Sequence, residues 1–193
     1  IEGFLVSLKP LSLLFSSPYR FWPENGSFES YFTLWDRVPM MGRYIFNSGY
    51  VEGWALYSEQ LADELGVYAD DPLGELGYLQ SMGFRACRLV VDTGLHAMKW
   101  TRQQGVDFFV NVNGSNALEV ANEVDRYCAW PGQACGYKVG HSTINRLRDQ
   151  AKAELGPKYD LKAFDDAVVL GGNVPMDVLA KNVAEYIART KGL

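Results

Sequence analysis

Three groups of side chains in this sequence have the types and spacing to do chemistry. Arg85, Arg88, Asp92 and His96 are separated by three, four and four residues, which on an α-helix puts them on one face. Their neighbours Phe84, Cys87, Leu89, Val90, Val91 and Leu95 are apolar. The polar stripe is therefore expected to be partly buried and to need partners, since an unpaired buried charge costs several kcal/mol. Such a stripe is either an ion-pair ladder between helices or, through His96, part of an active site. Glu52 and Glu59, seven apart in GYVEGWALYSEQL, also share a helix face. Glu52 is a candidate metal ligand, because zinc accepts carboxylate oxygen beside histidine nitrogen. A solvated acidic face explains the same pair. The third group is Arg126, Tyr127, Tyr137 and His141, which bracket a break at Pro131 and Gly132. Tyr137 and His141 stand one helical turn apart, and a tyrosine hydroxyl beside a histidine can hold the oxyanion of amide hydrolysis. Aromatic packing at a helix corner is the competing explanation.

The elements that must position these residues read as helices. Residues 1–26 are irregular, broken by Pro10, Pro18, Pro23 and Gly26, and residues 27–193 form a helical domain. A helical pattern begins at Ser27, with Pro39 kinking or dividing it. A helix over about residues 51–65 ends at Gly66. Asp71 followed by Pro72 supplies an N-cap acid and a proline at the first helical position, opening a helix that runs to about Trp100. That helix contains Gly74, Gly77, Gly83 and Gly94, each weakening it by roughly 1 kcal/mol relative to Ala, so close helix packing is expected there. Asn116 with Glu119 fits a capping box for a helix to about Cys128. Another helix is expected over residues 133–155, stopped by Gly156 and Pro157, then a short one capped by Asp160, and a last one opened by Pro175. Residues 106–112 are the one stretch where a strand is conceivable. The expected fold class is all-α, with packed and mostly antiparallel helices.

Composition limits the function classes. The formal net charge is -5 and no run of Lys and Arg forms a patch, which argues against nucleic acid as a partner. No stretch is apolar over the roughly 18 residues a membrane-spanning helix needs. Residues 4–15 come nearest, broken by Lys9 and Pro10; they read as a packed terminal segment or the remnant of a targeting sequence, with a lean toward a periplasmic or organellar address. The chain begins at Ile1 and not Met, which suggests further residues upstream. Cys87, Cys128 and Cys135 make no CxxC pair and lie in apolar surroundings, so they are expected to be small buried thiols and not a disulfide framework.

Four segments occur in a distinctive order: EGWALYSEQL, RACRLVVDTGLHAMKWT, EVDRYCAWPGQACGYKVG and FDDAVVLGGNVPMDVL. Over residues 39–187 they resemble the C-terminal part of the domain-of-unknown-function 885 family. That family comprises large, mainly helical, zinc-peptidase-like proteins, some of them carboxypeptidases. The resemblance implies a gluzincin-like site in which an HExxPGHH motif gives two histidine ligands and a water-activating glutamate. It further implies that Glu52 is the third zinc ligand, that His96 and Tyr137 line the catalytic site, and that Arg126 is a substrate or structural contact. Arg85, Arg88 and Asp92 fall in the same class of substrate-binding or structural residues.

The departures matter as much. The sequence has no HExxH, and His96 and His141 are its only histidines. The family motif belongs roughly 30 residues before the EGW glutamate, where this sequence reads YRFWPENG, with Pro23 as the one corresponding residue. The family's Phe-His-Asp is here Phe164, Asp165, Asp166. The expected function is therefore the C-terminal helical portion of a peptide-hydrolysing, carboxypeptidase-like zinc protein, binding no zinc by itself and inactive alone. Its partners would be a peptide substrate and a further segment that carries the motif. The alternative is a catalytically dead homologue serving as a structural or interaction subunit of a larger assembly.

Overall fold

A computed structural model gives the fold, and the structure describes residues 46–192. The irregular segment at 1–26, the helical pattern from Ser27, Pro39 and the YRFWPENG stretch lie outside the described residues.

The described residues are all-α, the expected class, with seven α-helices and no strand among them: α1 Ser48–Glu64, α2 Pro72–Ala97, α3 Arg102–Asn113, α4 Ala117–Ala129, α5 Gly136–Leu155, α6 Leu161–Val169 and α7 Met176–Lys191. A short 3-10 turn, Gln133–Cys135, leads into α5. The start signals act as read. The Asp71 carboxylate accepts from Gly74 N at 2.9 Å, and Asp160 accepts from Ala163 N at 2.8 Å. Asn116 forms half of the expected capping box, its Oδ1 accepting from the Leu118 and Glu119 amides.

The stretch at 106–112 is not a strand but part of α3. Thr101 and Gln104 form a reciprocal capping box at its start, and Gly114, at φ 65°, closes its end. Inside it Val106 and Phe109 are buried at helical spacing. The flanking caps therefore decide against the β-propensity of the valines.

Two apolar clusters hold the molecule. One joins Tyr57 and Leu61 of α1, Ile144 and Leu147 of α5, Phe164 and Val168 of α6, and Leu179 and Val183 of α7. The other joins Cys87 and Val91 of α2, Val106 and Phe109 of α3, Val124 and Tyr127 of α4, and Ala134 of the turn. Between α1 and α5 the backbones touch. A Cβ on Gly140 would overlap the Gly49 carbonyl, and one on Gly53 would run into Gly140. Gly49 and Gly53, like Gly136 and Gly140, are four residues apart, so each helix presents a smooth strip to the other. Contacts Gln60–Asn145 and Glu64–Arg148 follow in ascending order on both helices, so this pair runs parallel. On α2 the packing expected of its glycines holds at Gly94, where a Cβ would enter the Trp100 ring, but Gly77 meets nothing.

Candidate functional site

The α2 stripe and the 126–141 segment meet. Arg88 is 7% exposed. Its guanidinium carbon lies 4.4 Å from the centre of the Tyr137 ring and 5.0 Å from that of Phe84. Its Nη2 donates to Glu123 Oε2 at 2.8 Å. Arg126 donates to the same carboxylate from Nε and Nη2 at 3.3 and 2.9 Å, and from Nη1 to Gln133 Oε1 at 2.7 Å. The Tyr127 hydroxyl donates to Glu123 Oε2 at 3.0 Å. Burial alone would raise the Glu123 carboxyl, but hydrogen bonds from Arg126 and the positive charge of Arg88 outweigh it and hold it below the usual glutamate range. Arg85 is half-buried. Its Nη1 donates to Ser81 Oγ at 2.8 Å, Ser81 in turn donates to Glu59 Oε2 at 2.9 Å, and its guanidinium lies 5.9 Å from the centre of the Tyr137 ring.

Asp92, 4% exposed, accepts the Gly132 amide on both oxygens at 3.1 Å and so ties the break at 131–132 to α2. That tie sets where α5 begins, and hence where Tyr137 lies. His96 is exposed, and its Nε2 donates to the Tyr127 carbonyl at 3.0 Å. It stands eight residues beyond Arg88, about 12 Å along the helix, and binds α4 at the far end of the stripe. The stripe is thus an ion-pair and hydrogen-bond ladder over much of its length.

Glu52 is half-buried and makes no hydrogen bond or ion pair to another described residue. It shares a face of α1 with Glu59, which reaches α2 through Ser81. Glu52 lies seven residues back along α1, about 10 Å from that contact. Among the described residues no group of three or more His, Cys, Asp or Glu is placed to hold a metal ion.

His141 does not join Tyr137. It is 6% exposed and faces α1, its Nε2 donating to Gln60 Oε1 at 2.7 Å while Lys138 Nζ donates to Nδ1 at 3.1 Å. Burial, then the Lys138 charge, pushes its pKa down to about 4, consistent with a neutral ring. Asp165 lies in the α1–α5–α6–α7 core, 1% exposed, accepting from the Tyr57 hydroxyl at 3.2 Å. Burial pushes its carboxyl up to about 7. Beside it Arg148 pairs with both oxygens of Glu64, at 2.9 and 2.6 Å.

Sequence reasoning missed Glu123, the hub of the cluster. Its signal was the buried stripe Val120, Val124 and Tyr127, which places Glu123 at the edge of the same face, one turn before Tyr127. The cysteines divide: Cys87 is buried, but Cys128 is exposed and Cys135 half-buried, because Cys128 falls on the solvent side of α4. An open groove of about 630 Å³ between α6 and α7 is lined by Ala163, Ala167, Asn182, Glu185 and Arg189, away from these residues. No helix among the described residues is long and apolar enough to cross a membrane.

The profile of the family described as "Bacterial protein of unknown function (DUF885)" matches residues 30–183. The solved structure of a protein described as a putative lipoprotein from Colwellia psychrerythraea is 52% identical to the chain and superposes with a TM-score of 0.73 over 77% of it. The chain spans 25% of that protein's length. No curated protein matches it.

Proposed function

The chain belongs to the DUF885 family, and from that premise we propose that it forms the C-terminal helical wall of a cleft that hydrolyses peptide bonds in a zinc-metallopeptidase-like protein. One observation carries the reading. Tyr137 of α5 lies over Arg85 and Arg88 of α2, while Glu52 stands on the face of α1 turned toward the same helix. In this reading a phenol, two guanidiniums and a carboxylate without a partner among the described residues border one cleft.

The described residues do not by themselves fit a zinc ion. Catalytic zinc takes three protein ligands, and Glu52 belongs to no group of three or more His, Cys, Asp or Glu among the described residues. In this reading Glu52 is a ligand only together with donors from outside the described residues, and no step is assigned to the metal. The chain's own groups bind and orient. The Tyr137 hydroxyl, which bonds no described residue, donates to the scissile carbonyl oxygen as negative charge develops there. The positive charge of Arg85 and Arg88 favours the same anionic state. Glu123 fixes Arg88, Ser81 holds Arg85, Asp92 fixes the start of α5, and His96 tethers α4 to α2.

A second reading, a non-catalytic subunit, has one observation in its favour. Asp165, at the position of the family's histidine, is closed into the core against Tyr57. The two readings separate in the complete protein with zinc supplied. Tyr137→Phe is expected to lower kcat about 100- to 1000-fold with a smaller change in KM, because the lost contact belongs chiefly to the transition state. Glu52→Gln is expected to abolish turnover and lower bound zinc together. Unchanged kcat in Tyr137→Phe, or full zinc occupancy in Glu52→Gln, would overturn these roles.

A further inference from the structure

α2 turns its charges inward and its apolar residues outward. Arg88 and Asp92 are buried and Arg85 half-buried, all three directed at neighbouring elements. On the opposite side Leu76, Leu79, Ala86, Val90, Thr93 and Ala97 are exposed, and at about 100° per residue they fall on one strip of the helix. Leu76, Leu79 and Val90 are 61, 54 and 41% exposed. Half-buried Met82 and Leu89 form the edge of the strip, and no Asp, Glu, Lys or Arg lies on it between Leu76 and Ala97. Other helices present an ordinary solvated side. α5 turns out Arg146, Asp149 and Lys152, and α7 turns out Asp177, Lys181, Glu185 and Arg189. A helix that is apolar nearly all round has the pattern of a helix enclosed on every side.

We propose that this outward strip of α2 is the docking face for the rest of the complete protein, covered there by an apolar helix of the same polypeptide. The chain spans 25% of a relative that is 52% identical to it, so a protein of that length has most of its residues elsewhere, enough to supply the cover. A second copy of this chain fits less well. At about 1.5 Å per residue and about 10 Å of width, the strip from Leu76 to Ala97 offers roughly 300 Å², whereas a stable interface between free proteins buries about 800 Å² on each partner. A segment on the same polypeptide needs less area, because the link makes the association intramolecular. A membrane surface fits poorly on charge. Helices that lie on membranes carry Lys and Arg beside their apolar face, but α2 turns Arg85 and Arg88 inward and puts Glu75 at the exposed end of the strip. The docking face lies on the side of α2 away from Tyr137, and it stands whether or not the protein hydrolyses peptides.

The test uses the complete protein with Ala86→Cys, a small change at the middle of the strip. The protein is treated with a maleimide, and modification at position 86 is read by peptide mass, in native buffer and in urea. Labelling in native buffer is expected to be at least about 100-fold slower than in urea, because the thiol reacts only when the covering helix opens. A smaller slowing overturns the proposal. Protection that disappears on dilution assigns the cover to a second copy and overturns it too. Val90→Lys and Val90→Leu supply an independent measurement. In the complete protein Val90→Lys is expected to lower the melting temperature by several degrees, since it buries a charge under the cover, and Val90→Leu to leave it nearly unchanged. On a solvated face the lysine is harmless, so a Val90→Lys protein that melts like the wild type overturns the docking face. Should Val90→Lys not fold, the labelling rate at position 86 decides alone.

Discussion

Asp165 and His141 are both almost fully buried, and their protons act on stability in opposite directions. Burial raises the Asp165 carboxyl from an ordinary 3.8 to about 7, so the folded chain holds a proton that the unfolded chain loses above about pH 4. Its contribution is complete below pH 4 and is lost as pH rises to about 7. At 1.36 kcal/mol per unit it is on the order of 4 kcal/mol. Burial lowers His141 from 6.5 to about 4, so the unfolded chain takes up a proton below pH 6.5 that the folded chain refuses. That contribution is complete above pH 6.5 and lost as pH falls to about 4, on the order of 3 kcal/mol. Across pH 4 to 6.5 the two slopes nearly cancel in the wild type. Asp165→Asn is expected to leave stability rising with pH through that range, and His141→Asn to leave it falling. Urea midpoints measured at pH 4.5, 5.5 and 6.5 check both signs; parallel pH profiles for the two variants would contradict them. Little of this was readable in the sequence. FDDAVV shows two adjacent acids, and only the packing of α6 against α1 decides that Asp165 is the one sealed against Tyr57. Likewise His141 looked like a partner for Tyr137, but α5 meets α1 on its Gly136–Gly140 side and so turns His141 toward Gln60.

At the level of elements, the helix ends were legible wherever a cap is local. Asp71–Pro72, Asn116 and Asp160 each act within three residues of themselves, and the structure uses all three. The α2 stripe was legible for the same reason, since helical spacing alone puts Arg85, Arg88 and Asp92 together. What was not legible depends on a second element. Nothing near Glu123 shows that two arginines from different helices converge on it. The glycines of α1 and α5 make the same point. Gly140 is confined by the Gly49 carbonyl, whereas Gly77 on α2 has open space around it. Gly140→Ala is expected to destabilise by roughly 3 kcal/mol, because backbone has to shift and overpacking outweighs the better helix propensity of alanine. Gly77→Ala is expected to stabilise by up to about 1 kcal/mol through propensity and a less flexible unfolded chain. Thermal melts of the two variants give opposite shifts on this account; shifts of the same sign would show that the α1–α5 contact is not tight.

At the level of the whole molecule, the chain corresponds to one quarter of a longer relative that is 52% identical to it. The second cluster reaches Ala134, in the turn that leads into α5, while the first draws Ile144, Leu147 and Ala151 from α5, whose first turn carries Tyr137 against α2. The candidate site therefore lies where the chain passes from the second cluster into α5, and Asp92, by holding Gly132, links α2 to the start of α5. The central claim is that this wall serves peptide hydrolysis. Its most direct test is the wild-type complete protein, supplied with zinc and incubated with a mixed peptide library, with and without a chelator. The account predicts release of C-terminal residues that stops when the chelator is added. Intact peptides under both conditions, from protein that is folded and zinc-supplied, would contradict it.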